Sequence, residues 1–106
     1  MNMKKSIDYQ EYLIHSLKDP KEAANYLNAA LEGGDTKVFL LALSNVVKAQ
    51  GGVSKLANKA KKSRTSLYKT LSLKGNPYFK NTNEILSVMG MHLIIEPNND
   101  HINYSK

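Results

Sequence analysis

The fold is decided by residues 52–72, GVSKLANKAKKSRTSLYKTLS. The first half of this stretch has apolar residues at i, i+3, i+4 and i+7, which predicts a short amphipathic helix: Val53, Leu56, Ala57 and Ala60. Ser63 can then cap a second helix whose Leu67 and Leu71 face inward. Two short helices joined by a tight turn are the spacing of a helix-turn-helix.

The second of these helices has a predicted outer face rich in hydrogen-bond donors. In a helix-turn-helix this helix lies in the major groove, where its N-terminal residues reach base edges. Arg64 can donate two bonds to guanine, whereas Tyr68 and Lys69 lie one turn on, near the flanking phosphates. The candidate DNA-binding residues are Ser54, Lys55, Lys61, Lys62, Ser63, Arg64, Thr65, Ser66, Tyr68 and Lys69.

Charge is segregated around this stretch. Residues 36–80 carry ten Lys or Arg and no Asp or Glu, so the formal net charge of +6 divides into −2, +10 and −2 in sequence order. A lysine-rich helix face is often only a solvated surface. Forty-five residues without an acid instead favour a binding site for a polyanion.

Two helices are predicted within residues 1–34. The first has aromatic and apolar residues on one side, which serve either core packing or a partner surface: Tyr9, Tyr12, Leu13 and Leu17. The second opens with Asp19 as N-cap and Pro20 at the first helical position, and it ends at the Gly33-Gly34 pair. Together they form a predicted N-terminal helical unit.

One helix precedes the basic stretch, and one helix and one strand follow it. The preceding helix is predicted from Asp35 or Thr36 to about Gln50. Residues 75–77, GNP, are predicted to end the second short helix, and Asn81 offers a capping-box-like start for the next helix. The β-formers in MHLIIE, residues 91–96, predict a strand that Pro97 closes.

The predicted architecture is therefore mainly α, a helix-turn-helix bundle with one short C-terminal β-strand. It comprises an N-terminal unit over 1–34, a DNA-binding domain over 35–97 and a flexible tail over 98–106. An unpaired strand and a single short recognition helix both predict a homodimer.

The sequence favours no enzyme, metal site or cofactor. It has no cysteine, and His15, His92 and His101 are far apart with no carboxylate cluster at ligand spacing. No phosphate-binding glycine loop is present. Neither a secretory signal nor an apolar run of membrane-spanning length occurs, so we expect a cytoplasmic protein that does not enter the membrane.

From about Tyr9 to Pro97 the chain resembles the bacterial addiction-module antidotes. The resemblance rests on these motifs: Asp19-Pro20-x-Glu22-Ala23-Ala24-x-Tyr26-Leu27-Asn28-Ala29-Ala30-Leu31-Glu32, Gly51-Gly52, Leu56-Ala57, Ser63-Arg64-x-Ser66-Leu67-Tyr68-Lys69-x-Leu71-Ser72, Gly75-Asn76-Pro77 and Glu96-Pro97. It implies a HigA-like antitoxin with a lambda-repressor/Cro-type fold. Such a protein binds its own operator, usually as a dimer, and neutralises a RelE/HigB-like toxin that cleaves messenger RNA.

The chain departs from the family at the turn between the two short helices. The family prefers glycine followed by an apolar residue, and this chain has Lys61-Lys62. We therefore expect the turn to lose its left-handed residue and its buried anchor. Either the turn is remodelled, or Lys62 lays its stem over the core and keeps its amine in solvent.

Two other functions compete with an antitoxin that represses its own transcription. One is a stand-alone phage-type repressor without a toxin partner, and the other is a basic RNA- or ribosome-associated protein. The deep, narrow major groove of A-form RNA excludes a helix, which favours DNA over RNA. The N-terminal helices favour the antitoxin, because a toxin needs a surface to bind. Deleting residues 1–17 is then expected to abolish toxin neutralisation and spare DNA binding.

Overall fold

The chain folds into six helices over the described residues. The structure, a computed structural model, describes residues 2–72, 74 and 76–98. Its helices are α1 Asn2–Ser16, α2 Pro20–Gly33, α3 Thr36–Ala49, α4 Gly52–Ala60, α5 Arg64–Leu71 and α6 Phe79–Val88. No strand occurs among the described residues, so the prediction of a mainly α chain is confirmed.

The predicted helix boundaries around α2 and α3 are confirmed by their hydrogen bonds. Asp19 Oδ1 accepts from the Lys21 N–H, and Asp35 Oδ1 accepts from the Lys37 N–H, each at 2.9 Å. Gly34 follows α2 in the left-handed conformation, with φ of 78°. Each cap satisfies a backbone donor that the first turn of a helix leaves unpaired, so the boundaries are fixed by short-range contacts.

Helix α3 is the centre of the core. It contacts α1, α2, α4 and α5, while α6 packs against α4. Two polar contacts join α3 to the N-terminal helices. Asn45 Nδ2 donates to the Tyr26 hydroxyl at 2.9 Å, and Gln50 Nε2 donates to the Leu17 carbonyl at 3.0 Å. Leu13 of α1 packs against the same buried cluster that contains Ala23 and Leu27 of α2, so both helices share one core with α3.

The turn between α4 and α5 keeps a left-handed residue, contrary to the expectation from sequence. Lys61 adopts φ of 57° and ψ of 43°, and among the described residues it is the one non-glycine residue with positive φ. The Lys62 N–H then donates to the Ala57 carbonyl at 3.0 Å, which closes the end of α4. The loss of the left-handed residue was therefore a wrong prediction: lysine takes the conformation usually given to glycine.

Lys61→Gly is expected to stabilise the protein by about 1 kcal/mol, because glycine has no Cβ to clash in the left-handed region. Lys61→Ala is the matched control, since it removes the same charged side chain but keeps the Cβ. Urea unfolding of both variants measures the difference. Equal stability of the two variants would show that Lys61 is not strained.

Two predictions for the C-terminal part are wrong. Helix α6 begins at Phe79 with Tyr78 at its N-cap position, so the capping-box-like start at Asn81 is not used. Residues 91–96 form no strand in the single chain, because no other described segment is a strand that could pair with them. Apart from Asn98, the predicted tail over 98–106 lies outside the described residues, as do His101 and Gly75 of the predicted break.

Candidate nucleic-acid interface

Helix α5 separates an apolar inner face from a polar outer face. The buried residues Leu67 and Leu71 anchor it to the core, as expected. Thr70 is also buried, and its hydroxyl donates to the Ser66 carbonyl at 3.3 Å. The outer face consists of exposed residues that all carry hydrogen-bonding groups: Arg64, Thr65, Ser66, Tyr68 and Lys69.

The start of α5 is capped as the sequence predicts. Ser63 Oγ accepts from the Ser66 N–H at 3.0 Å. Ser63 is therefore occupied as the cap, while the first N–H groups of the helix point out of its N-terminal end. Backbone donors and the positive end of the helix dipole make such an end favourable for an anion.

A side-chain hydrogen bond joins α4 to α5 across their outer surfaces. Arg64 Nη1 donates to Ser54 Oγ at 3.3 Å, and both residues are exposed. The sequence placed both among the candidate DNA contacts but did not pair them, because they are ten residues apart on different helices. Ser54 restrains the guanidinium beside the start of α4 and leaves its other donors open.

Lys62 is held differently from the other lysines of the basic stretch. Its Nζ lies 3.0 Å from Glu84 Oε1 on α6, and the two side chains are 32% and 37% exposed. That oxygen is buried and accepts no well-directed hydrogen bond from the described residues, so the nearby ammonium balances its charge. The sequence offered a remodelled turn or a Lys62 side chain laid over the core. The Lys62 side chain is indeed half-buried, but its amine faces Glu84 and not solvent.

The remaining cations of the stretch have no carboxylate partner within the described part of the chain. Lys62–Glu84 is the one ion pair among residues that the structure describes. Lys55, Lys61 and Lys69 are all exposed. The outer surface of α4, the turn and α5 therefore carries positive charge that nothing in the described chain neutralises.

Sequence reasoning missed two exposed aromatic residues at the start of α6. Tyr78 and Phe79 are 76% and 70% exposed, and Lys80 follows them. They end the acid-free segment, so they lie next to basic residues in sequence. Neither has an apolar residue at i+3 or i+4, and this was the signal that they are not core residues.

The aromatic and apolar residues of the N-terminal unit divide into exposed and packed groups. Tyr9 and Tyr12 on α1 are 65% and 70% exposed. Leu13 and Tyr26 pack partly against the core, and Leu17 is buried. The sequence left open whether the first helix serves the core or a partner, and the structure assigns its Leu13 and the following Leu17 to the core.

No group of three potential metal-ligating side chains comes together in the described part of the chain. Within that same part, no helix combines the length and apolar character needed to cross a membrane.

The chain is similar to known proteins over most of its length. A family model described as "Probable addiction module antidote protein" matches residues 4–97. An uncharacterized protein of Haemophilus influenzae (strain ATCC 51907 / DSM 11121 / KW20 / Rd) is 29% identical over 92 residues, which cover 87% of this chain and 90% of that protein. No solved structure matches the chain.

Proposed function

This chain belongs to the family of probable addiction module antidote proteins, and we propose that it is the antitoxin of a type II toxin-antitoxin module that also represses its own transcription. The proposal assigns a separate binding role to each of two surfaces. The outer surface of α4, the turn and α5 binds operator DNA, and α1 contacts the toxin. Both roles are binding roles, and no enzymatic activity is proposed.

The DNA-binding proposal rests on the outer face of α5, where exposed donors occur in a segment without acids. An α-helix is about 10–12 Å across with its side chains, and the major groove is about 12 Å wide. We propose that α4 and α5 act as a helix-turn-helix in which α5 enters this groove. Arg64 and Thr65 then reach base edges, and Tyr68 and Lys69 approach phosphates.

The Ser54–Arg64 hydrogen bond supports a base-reading role for Arg64. A free arginine loses much rotamer entropy when it binds, whereas a restrained one has lost part of it beforehand. The bond uses Nη1 alone, so the guanidinium keeps donors for the two acceptors of a guanine. Ser54 would thus position the side chain that discriminates between bases.

We propose that the DNA-bound form is a homodimer. A single short recognition helix contacts few base pairs, and operators read by such helices consist of paired half-sites. The half-sites are then expected about one helical turn, roughly 34 Å, apart. Light scattering at micromolar concentration, with and without operator duplex, measures the stoichiometry.

We propose that the toxin is a basic, RelE/HigB-like messenger-RNA-cleaving protein that binds α1. Tyr9 and Tyr12 lie one turn apart, and aromatic residues are favoured anchors of protein interfaces. The net charge of −2 over residues 1–35 complements a basic partner. Family membership favours this antitoxin over the stand-alone repressor, because an antidote requires a toxin.

Two independent measurements, transcriptional repression and rescue of growth, test the proposal. A reporter fused to the DNA upstream of the chain's own gene is expected to be repressed when the chain is supplied in trans. Co-expression of this chain with the product of the adjacent reading frame is expected to protect cells from that product's toxicity and so rescue growth. Repression without rescue would favour the stand-alone repressor, and rescue without repression would contradict DNA binding.

Lys61→Ala is expected to reduce the slope of log affinity against log salt by about 0.9, the value of one phosphate contact. Lys62→Ala is expected to reduce it less, because Glu84 already holds the ammonium. Filter binding to a duplex at several salt concentrations measures both slopes. An equal or larger reduction for Lys62→Ala would show that phosphate displaces Glu84 from Lys62.

A further inference from the structure

The C-terminal segment, residues 91–98, has no regular secondary structure, and its first four side chains alternate between partly buried and exposed. Met91 and Leu93 pack partly against the core, whereas His92 and Ile94 are exposed. Alternation with a period of two is the pattern of an extended chain. The segment therefore starts as an extended chain along the protein, with Met91 and Leu93 facing inward, and its residues from Ile94 to Asn98 are all exposed.

The backbone of this segment is unpaired where its outer side chains are most apolar. The Met91 N–H donates to the Leu86 carbonyl at 2.8 Å. Beyond it, residues 92–97 make no hydrogen bond to any other described residue. Ile94 is 68% exposed and Ile95 is 97% exposed. Apolar β-formers with free backbone groups form an edge that is ready to pair with another strand.

We propose that residues 92–96 pair with the same residues of a second copy of this chain as a two-stranded antiparallel ribbon centred on Ile94. This inference rests on the proposed function only for the expectation of a homodimer, and it names the surface that forms it. The symmetric register places Ile94 opposite Ile94, Leu93 opposite Ile95 and His92 opposite Glu96. Each dimer then contains two pairs that join an imidazole to a carboxylate.

The sequence around Ile94 favours this register over its neighbours. A centre on Leu93 would put His92 opposite Ile94, and a centre on Ile95 would put Glu96 opposite Ile94. Either shift sets a polar side chain against an apolar one, whereas the register on Ile94 pairs polar with polar and apolar with apolar side chains. The register on Ile94 also places Pro97 at the end of the ladder, where a missing N–H interrupts no bond.

The same register gives the most exposed apolar side chain of the described chain a place to pack. Ile95 lies on the same face of its strand as Leu93, and across the ribbon it meets the partner's Leu93. Leu93 borders a groove of about 270 Å³ between α2 and the C-terminal segment, with Leu27, Leu31 and Phe39 in its lining. Ile95 of one copy would thus approach the groove of the other.

A single introduced cysteine tests the register, because the chain has no cysteine of its own. Residues directly opposite in an antiparallel pair have Cα atoms about 4.5–5.5 Å apart, within the range of a disulfide. Full-length Ile94→Cys is expected to form a disulfide-linked dimer under mild oxidation. Ile95→Cys is the control: its two copies lie diagonally, about 7–8 Å apart, at the limit of disulfide geometry.

The control is stringent because Ile95 is the more exposed residue, so random collision would cross-link it at least as fast. Equal cross-linking of the two variants, or faster cross-linking of Ile95→Cys, would overturn the proposed register. Absence of cross-linking in both, with a monomeric mass for the unmodified chain, would overturn the ribbon itself. Reporter repression is measured separately, so failure of the ribbon leaves operator binding as a distinct result.

A charge exchange provides a second readout. His92→Glu places like charges in both symmetric pairs and is expected to weaken dimerisation about two- to thirty-fold. His92→Glu combined with Glu96→Lys places opposite charges in both pairs and is expected to recover the dimer. Light scattering over a dilution series measures the dissociation constants. Failure of the double variant to recover affinity would contradict the pairing of residues 92 and 96.

Discussion

Arg64→Ala is expected to lower the preference of the protein for operator over scrambled duplex by about five- to 150-fold. A bidentate arginine–guanine contact is worth about 1–3 kcal/mol of discrimination against the wrong base. Arg64 is exposed at the start of α5 and packs into no core, so the variant is expected to remain folded. Filter binding with the two duplexes measures the ratio of affinities before and after the substitution.

Two variants separate base reading from general attraction. Lys69→Ala is expected to weaken binding to both duplexes alike, because a phosphate contact carries no sequence information. Ser54→Ala is expected to reduce the preference in the same direction as Arg64→Ala but by less, since it only releases the guanidinium. If Arg64→Ala leaves the preference for operator over scrambled duplex unchanged, Arg64 does not read bases.

The double variant Tyr9→Ser/Tyr12→Ser is expected to lose toxin neutralisation. Buried aromatic anchors commonly contribute about 2 kcal/mol or more to an interface, so affinity for the toxin should fall at least about thirty-fold. Both side chains are exposed in the free protein, so its thermal unfolding should change little. Growth on co-expression with the toxin, together with a direct binding measurement, reports the loss.

Tyr78→Ser provides the matched control, because Tyr78 is equally exposed but lies at the start of α6. This variant should still rescue growth. These point substitutions test α1 better than deletion of residues 1–17, because Leu17 is part of the core and its carbonyl accepts from Gln50. Full rescue by the double tyrosine variant would place the toxin contact elsewhere on the protein.

The features that depend on neighbouring residues were predictable from sequence. Asp19, Asp35 and Ser63 cap their helices as expected, because a cap needs a side chain and an N–H only two or three residues apart. The inward face of α5, with Leu67 and Leu71, also follows from helical spacing. Together these contacts define the helices that present the candidate site.

The features that depend on distant residues were not predictable. The Lys62–Glu84 contact joins the turn to α6, and no local pattern pairs these two residues. The strand prediction failed because β-forming residues favour an extended backbone, whereas a strand also requires a second strand to pair with. At Lys61, the remainder of the turn imposes a left-handed conformation that residue preference argues against.

The affinity of the unmodified protein for its own upstream DNA tests the central claim most directly. Filter binding at physiological salt compares a duplex from that region with a scrambled duplex of the same length and composition. Specific DNA-binding proteins prefer their sites by about 10³-fold or more, and we predict a ratio of at least that size. Equal affinities for the two duplexes would contradict operator recognition by α5.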